Sequence, residues 1–189
     1  MLFATLLTQE QVERTHEASL EVLENVGLLV RNEKARAVFD RHGCKVESET
    51  QMVTFPRSVV EKYRKMIPPT FTFRGRDPKF DRTIPDDRPI LVTGSSAPDI
   101  IDPLTGRERR ARSDDIARIA HLIHELPAYD VFSVSTLADD APAGQFTLAR
   151  LYPALKHCLK PIRISTKDME DAQAVMRMLF AIAGSEAAY

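Results

Sequence analysis

Strong compositional signals are largely missing from this chain of 189 residues. Its 26 lysines and arginines nearly cancel 27 aspartates and glutamates, leaving a formal net charge of −1. No general electrostatic drive toward nucleic acid or an anionic membrane follows from that balance. No run of ~18 apolar residues is present to cross a bilayer. The opening, Met1-Leu-Phe-Ala-Thr-Leu-Leu7, is apolar but lacks the basic flank and small-residue cleavage site of a secretory signal. Two cysteines, Cys44 and Cys158, with no CxxC pair, argue against a disulfide framework and suit free thiols in a reducing cytoplasm. Internal repeats and low-complexity stretches are absent as well. With 28% charged and 43% hydrophobic residues, the composition excludes disorder, collagen, coiled coil and a secreted mini-protein.

What is present falls into three stretches. Thr8 with Gln11 forms a capping-box pattern ahead of Val12, His16, Leu20, Leu23 and Val26, which predicts an amphipathic helix ended by Gly27. Leu28 to Val30 suits a turn or short strand. Asn32 caps a second helix that stops at Gly43. Cys44 to Phe55 alternates around a polar centre, as a hairpin does. A third helix starts at Pro56, carries Val59, Val60, Tyr63, Met66 and Ile67, and ends at Pro68-Pro69. In the middle stretch, 70–74 alternates like a strand, while the Asp- and Pro-rich 77–89 reads as a long loop. Ile90 to Thr93 predicts a strand ending at Gly94. Asp99 to Ile101 and Arg107 to Arg112 predict partners across the turn Asp102-Pro-Leu-Thr-Gly106, and the region reads as a small antiparallel β element.

The last stretch changes period. Ser113 is the expected cap of a helix with Ile116, Ile119, Ala120, Ile123 and Leu126 on one side. A buried-type strand over 131–135 follows, then a helix over 144–158 kinked or restarted at Pro153, then a strand over 161–165. Thr166 is the expected cap of a final helix closed by Gly184. The order α-β-α-β-α predicts right-handed βα units in a parallel sheet. Two parallel strands do not make a stable covered sheet, and Ser185 reads as the start of another element, so the chain is expected to be the front of a longer α/β protein.

The chemistry-bearing residues divide by environment. His16 on an apolar helix face reads as a packed, hydrogen-bonded histidine. His121 and His124 share a helix face, but they lack the Glu of HExxH and a third ligand, so no metal site is expected. His42 and His157 stand at helix ends, where partial positive charge is favourable. Arg107-Glu-Arg-Arg-Ala-Arg112 reads first as a solvated strand edge or as arginines paired to carboxylates, with an interface role as the alternative. Phosphate-loop patterns and GxSxG are absent. In α/β proteins the working site lies beyond the carboxyl ends of parallel strands. That rule selects Ser135, Thr136 and Asp139 after one strand and Ser165, Thr166 and Lys167 after the other. These are candidate substrate-binding residues, and no catalytic constellation accompanies them.

Several segments in order resemble the N-terminal part of the trimethylamine methyltransferase family. They are His16-Glu-Ala-Ser-Leu-Glu-Val-Leu-Glu-Asn-Val-Gly27, Arg74-Gly-Arg-Asp-Pro78, Asp99-Ile-Ile-Asp-Pro-Leu-Thr-Gly106, Arg109-Arg110 before Asp114-Asp115, Lys160-Pro161 and Ala183-Gly-Ser-Glu186. The resemblance implies an incomplete TIM barrel preceded by an α+β extension. Residues 1–127 would be that extension and its lead-in helix, and 128–189 the first two βα units. It implies methyl transfer from trimethylamine or a related quaternary amine to the cobalt of a separate corrinoid protein. No corrinoid is then held by this chain, and no family catalytic residue maps onto it. A homo-oligomer at full length, a cytoplasmic location, no nucleic acid or membrane partner, and inactivity of the 189-residue chain alone complete the implied picture. The alternatives are another TIM-barrel enzyme and a non-catalytic module binding a partner through its arginine strand.

Overall fold

The computed structural model describes residues 6–185. The readings made for Met1 to Thr5 and Glu186 to Tyr189 lie outside them. The chain divides between Pro69 and Thr70 into two compact units.

In the first unit Thr8 accepts from the Gln11 backbone N–H while Gln11 accepts from that of Thr8, and the expected capping box opens α1 (Gln9–Asn25). Gly27 ends it at φ 74; a Cβ there would sit 2.2 Å from the Val53 carbonyl oxygen, so the close approach requires glycine. β1 (Leu28–Leu29), β2 (Lys45–Glu47) and β3 (Met52–Thr54) form an antiparallel sheet in the order β1-β3-β2. The helices α2 (Glu33–Arg41), capped by Asn32 as expected, and α3 (Arg57–Arg64) complete the unit. Among its described residues the buried apolar ones are Leu20, Cys44 and Val53.

The second unit opens with two hairpins. β4 (Phe71–Phe73) pairs with β5 (Arg82–Ile84), and β6 (Asp99–Ile101) with β7 (Glu108–Arg110). The expected loop over 77–89 is corrected here: it contains a 3₁₀ turn, Pro78–Phe80, and all of β5. Composition concealed that strand because its anchor is tertiary. Buried Arg82 lies between Asp86 and Asp130, and Thr72 bonds Thr83 across the strands at 2.7 Å. The turn between β6 and β7 forms as expected, with Asp102 accepting from the Leu104 and Thr105 N–H groups.

There follow α4 (Ser113–Glu125), β8 (Phe132–Ser133), α5 (Phe146–His157), β9 (Ile162–Arg163) and α6 (Met169–Ala183). β8 and β9 are parallel, as the alternating order predicts. Residues 90–93 do not join the antiparallel element; Val92 bridges Val131 and Ala97 bridges Thr136, both in the parallel sense, so this segment runs along the other edge of β8. α5 continues through Pro153 without a break. Two caps are also corrected. The cap of α4 is Arg112, whose N–H donates to the Asp115 carboxylate at 2.9 Å, while Ser113 is the first helical residue and bonds Asp140. The cap of α6 is Asp168, which takes the Asp171 N–H at 2.8 Å, two residues beyond Thr166. In each case a carboxylate, the stronger acceptor, satisfies an N–H at the helix start. The main core packs Ile116, Ala120 and Ile123 of α4 against Phe132, Val134, Ala154 and Cys158. α4 lies wholly inside this unit, so position 127/128 falls within it.

Candidate functional site

Parallel neighbours align their carboxyl ends, and here three ribbons do so: residues 92–97, β8 and β9. At those ends lies a cavity of about 30 Å³ lined by Ser95, Ser96, Ser133, Val134, Arg150, Arg163, Ile164 and Ser165. A space of that size takes one or two water-sized oxygens. The hydroxyls of Ser135 and Thr136 are buried beside this sequence segment with no hydrogen-bond partner, and Thr136 is 2% exposed.

Arg150 is the unexpected member. It sits on the buried face of α5 with Thr147, Leu151, Ala154 and Leu155, and is 5% exposed. Its Nε donates to the Thr136 carbonyl at 2.8 Å and its Nη2 to the Val134 carbonyl at 3.0 Å, with the guanidinium 5.1 Å from the centre of the Phe146 ring. Among the described residues no carboxylate partners it, and burial depresses its pKa. The signal was available in the sequence as an arginine in register with an apolar stripe, where a charge is costly.

Of the six candidates, Ser165 lines the cavity, and Ser135 and Thr136 bring orphan hydroxyls to the same strand ends. The other three do not join them. Asp139 is 56% exposed and faces Arg110 Nε at 3.5 Å, against the β6–β7 hairpin. Lys167 is exposed, with its Nζ 3.7 Å from Asp168. Thr166 is exposed and does not line the cavity. The cavity residues Ser95, Ser96, Ser133, Arg150 and Arg163 were not among the candidates read from the sequence, because they reach the mouth through sheet pairing and helix packing.

The remaining chemistry is structural. His16 Nε2 lies 2.8 Å from Glu61, and the hydrogen bonds from Arg64 and then His16 hold that carboxyl below its ordinary pKa. His124 Nδ1 accepts from the Leu159 N–H at 3.4 Å. The arginine strand is engaged, Arg109 with Asp102 and Asp115 and Arg110 with Asp99. Both cysteines are free and buried. Among the described residues no three His, Cys, Asp or Glu side chains gather as metal ligands, and no helix is long and apolar enough to cross a membrane. A larger trough, about 670 Å³, runs between α5, β9 and α6 with Leu151, Leu155, Val175 and Leu179 on its walls. Its cations already have partners: Lys160 donates to the Ile123, Leu126 and Tyr129 carbonyls at 2.6 to 2.8 Å, and Arg76 to those of Leu155 and Cys158.

These features define an α/β protein with a small polar, cationic site at the carboxyl ends of its parallel strands. The model of the family described as Trimethylamine methyltransferase (MTTB) matches residues 2–189, and the chain belongs to that family. It is 25% identical to the trimethylamine methyltransferase MttB of Desulfitobacterium hafniense (strain DSM 10664 / DCB-2), over 95% of this chain and 36% of the relative. It is 32% identical to the glycine betaine methyltransferase of Desulfitobacterium hafniense (strain Y51), over 89% of this chain and 35% of the relative. With the L-carnitine:corrinoid methyltransferase of Eubacterium limosum it shares 30% identity, over 82% of this chain and 31% of the relative. The chain therefore spans about a third of the length of these curated relatives.

Proposed function

We propose that this chain contributes to a methyltransferase that moves a methyl group from trimethylamine or a related quaternary amine to the cobalt of a corrinoid carried by a separate protein. The family match over residues 2–189 carries the proposal. The names of the relatives, which act on trimethylamine, glycine betaine and carnitine, support the substrate class. The partner's corrinoid would supply the electron pair for the new bond to the methyl group, and the amine nitrogen would keep the pair of the broken C–N bond. The work of this chain is then to bind and orient the amine at an open mouth, because the cofactor carries the hard chemistry. Ser135, Thr136 and Ser165 would be the substrate-binding residues of that mouth, and Asp139, Thr166 and Lys167, which follow the same strands, would be further candidates. In this reading 128–189 begins a (β/α)8 barrel, with 92–97 as a further parallel ribbon at its edge and 1–127 as extension and lead-in helix. The whole protein would be a cytoplasmic homo-oligomer.

The test pairs the whole gene product with a reduced corrinoid protein and either trimethylamine or glycine betaine, following the corrinoid's absorbance. Methylation of the corrinoid is expected with at least one of the two amines, and none from the 189-residue chain alone. Turnover by that chain alone would sink the division of labour proposed here.

A further inference from the structure

We infer that Arg150 and the serine-lined cavity beside it form a carboxylate-binding subsite that takes the carboxylate end of a zwitterionic quaternary amine. The inference rests on the methyl-transfer reading and specifies the substrate within it. Charge balance is the first argument. Arg82, the other buried arginine, lies between the carboxylates of Asp86 and Asp130. The three N–H groups of buried Lys160 are each taken by a carbonyl. Arg150 instead uses two of its five N–H donors, both on main-chain carbonyls, and meets no carboxylate among the described residues. A buried charge in that condition is expensive unless a ligand completes it.

Size and chemistry give the second argument. A cavity of about 30 Å³ admits the oxygens of a carboxylate but not a trimethylammonium head. Beside the apolar Val134 and Ile164, its lining residues include Arg150, Arg163, Ser95, Ser96, Ser133 and Ser165, residue types whose side chains donate to oxygen. The unpartnered Ser135 and Thr136 hydroxyls stand at the same strand ends. The N-methyl groups of a ligand anchored there would remain outside the cavity, on the open side. The same donors would also hold a free small carboxylate, so the two sources need separating.

The whole gene product is titrated calorimetrically, without any corrinoid protein, with glycine betaine, with choline (the same cationic head bearing a hydroxymethyl group) and with acetate. Glycine betaine should bind about tenfold or more tighter than choline, the scale of one charge-assisted hydrogen bond, and acetate should compete with it. R150Q should abolish that preference while choline binding shifts less than about twofold, and R150K should restore part of it. Should R150Q not fold, as judged by circular dichroism, S165L tests the same point by filling the cavity from an exposed position. Equal binding of glycine betaine and choline by the wild type, or equal losses in the variants, would overturn the subsite. Acetate binding that never competes with glycine betaine would do the same for the substrate assignment. A protein that discriminates through Arg150 yet methylates no corrinoid refutes the methyl-transfer reading and keeps the carboxylate site; methyl transfer without discrimination does the reverse.

Discussion

At the scale of single residues, the second unit's buried cations and anions set the largest local energies. Asp130 collects Arg82, Arg88 and the Leu91 N–H. Burial pushes its carboxyl up, but the Leu91 and Arg82 hydrogen bonds and the charges of Arg82 and Arg88 prevail, leaving its pKa below the ordinary value. Asp130→Asn should remove about 2 kcal/mol of stability, the scale of lost charge-assisted hydrogen bonds, since Arg82 keeps Asp86 as a partner. Urea unfolding of the variant measures this, and a loss under about 1 kcal/mol would contradict it. None of this pairing was legible in the sequence: Asp130 reads as the residue before a strand, and Arg82 lies inside what composition marks as a loop. Ser135, Thr136 and Ser165 were reachable by the strand-end rule alone. Arg150 showed in the sequence only as a charge on an apolar stripe, and its partners, the carbonyls of Val134 and Thr136, came from the packing.

Among the elements, the β6–β7 hairpin shows local code and tertiary use together. Its Asp-Pro-Leu-Thr-Gly turn forms where the sequence predicts, and Gly106 takes φ 67. The same Asp102 also binds Arg109 at 2.8 Å, and Arg109 continues to Asp115 at the start of α4. Arg109 first, then the Thr105 and Leu104 N–H groups, hold the Asp102 carboxyl down at about 2. An unfolded aspartate titrates near ~3.9. With the folded pKa depressed, the stabilisation is fully present above about pH 4 and is lost as pH falls through about 2. Thermal melts between pH 5 and pH 2 should show the midpoint falling in that window, and D102N should flatten part of the fall. An unchanged slope in D102N would remove Asp102 as a cause. The caps teach a related lesson. Ser113 and Thr166 have the right chemistry, yet Asp115 and Asp168 hold the helix-start N–H groups, because neighbouring contacts decide which acceptor arrives first.

Across the whole molecule, the two units differ in how much they bury. The first has Leu20, Cys44 and Val53 as its buried apolar residues, whereas the second buries a set running from Ala111 to Val175 that includes Phe132, Ile116 and Leu151. Each unit holds one buried thiol, and burial raises the pKa of both. Neither should react with Ellman's reagent in the native protein, since the thiolate is the nucleophile. In rising urea Cys44 should become reactive at a lower concentration than Cys158, because the thinner core unfolds first. C44S and C158S identify which thiol reports. Simultaneous exposure would mean that the units unfold as one.

Local order was written in the sequence: the caps of α1 and α2, the β2–β3 and β6–β7 hairpins, and the alternation of helix and strand. Those features depend on neighbours within a few residues, where backbone hydrogen bonding and side-chain periodicity act directly. The tertiary structure alone decided that β5 exists, that residues 92–97 run parallel beside β8, and that Arg150 meets carbonyls rather than a carboxylate among the described residues. Such outcomes depend on which distant groups meet after burial, and the cost of leaving a buried charge or carbonyl unpaired is levied only there.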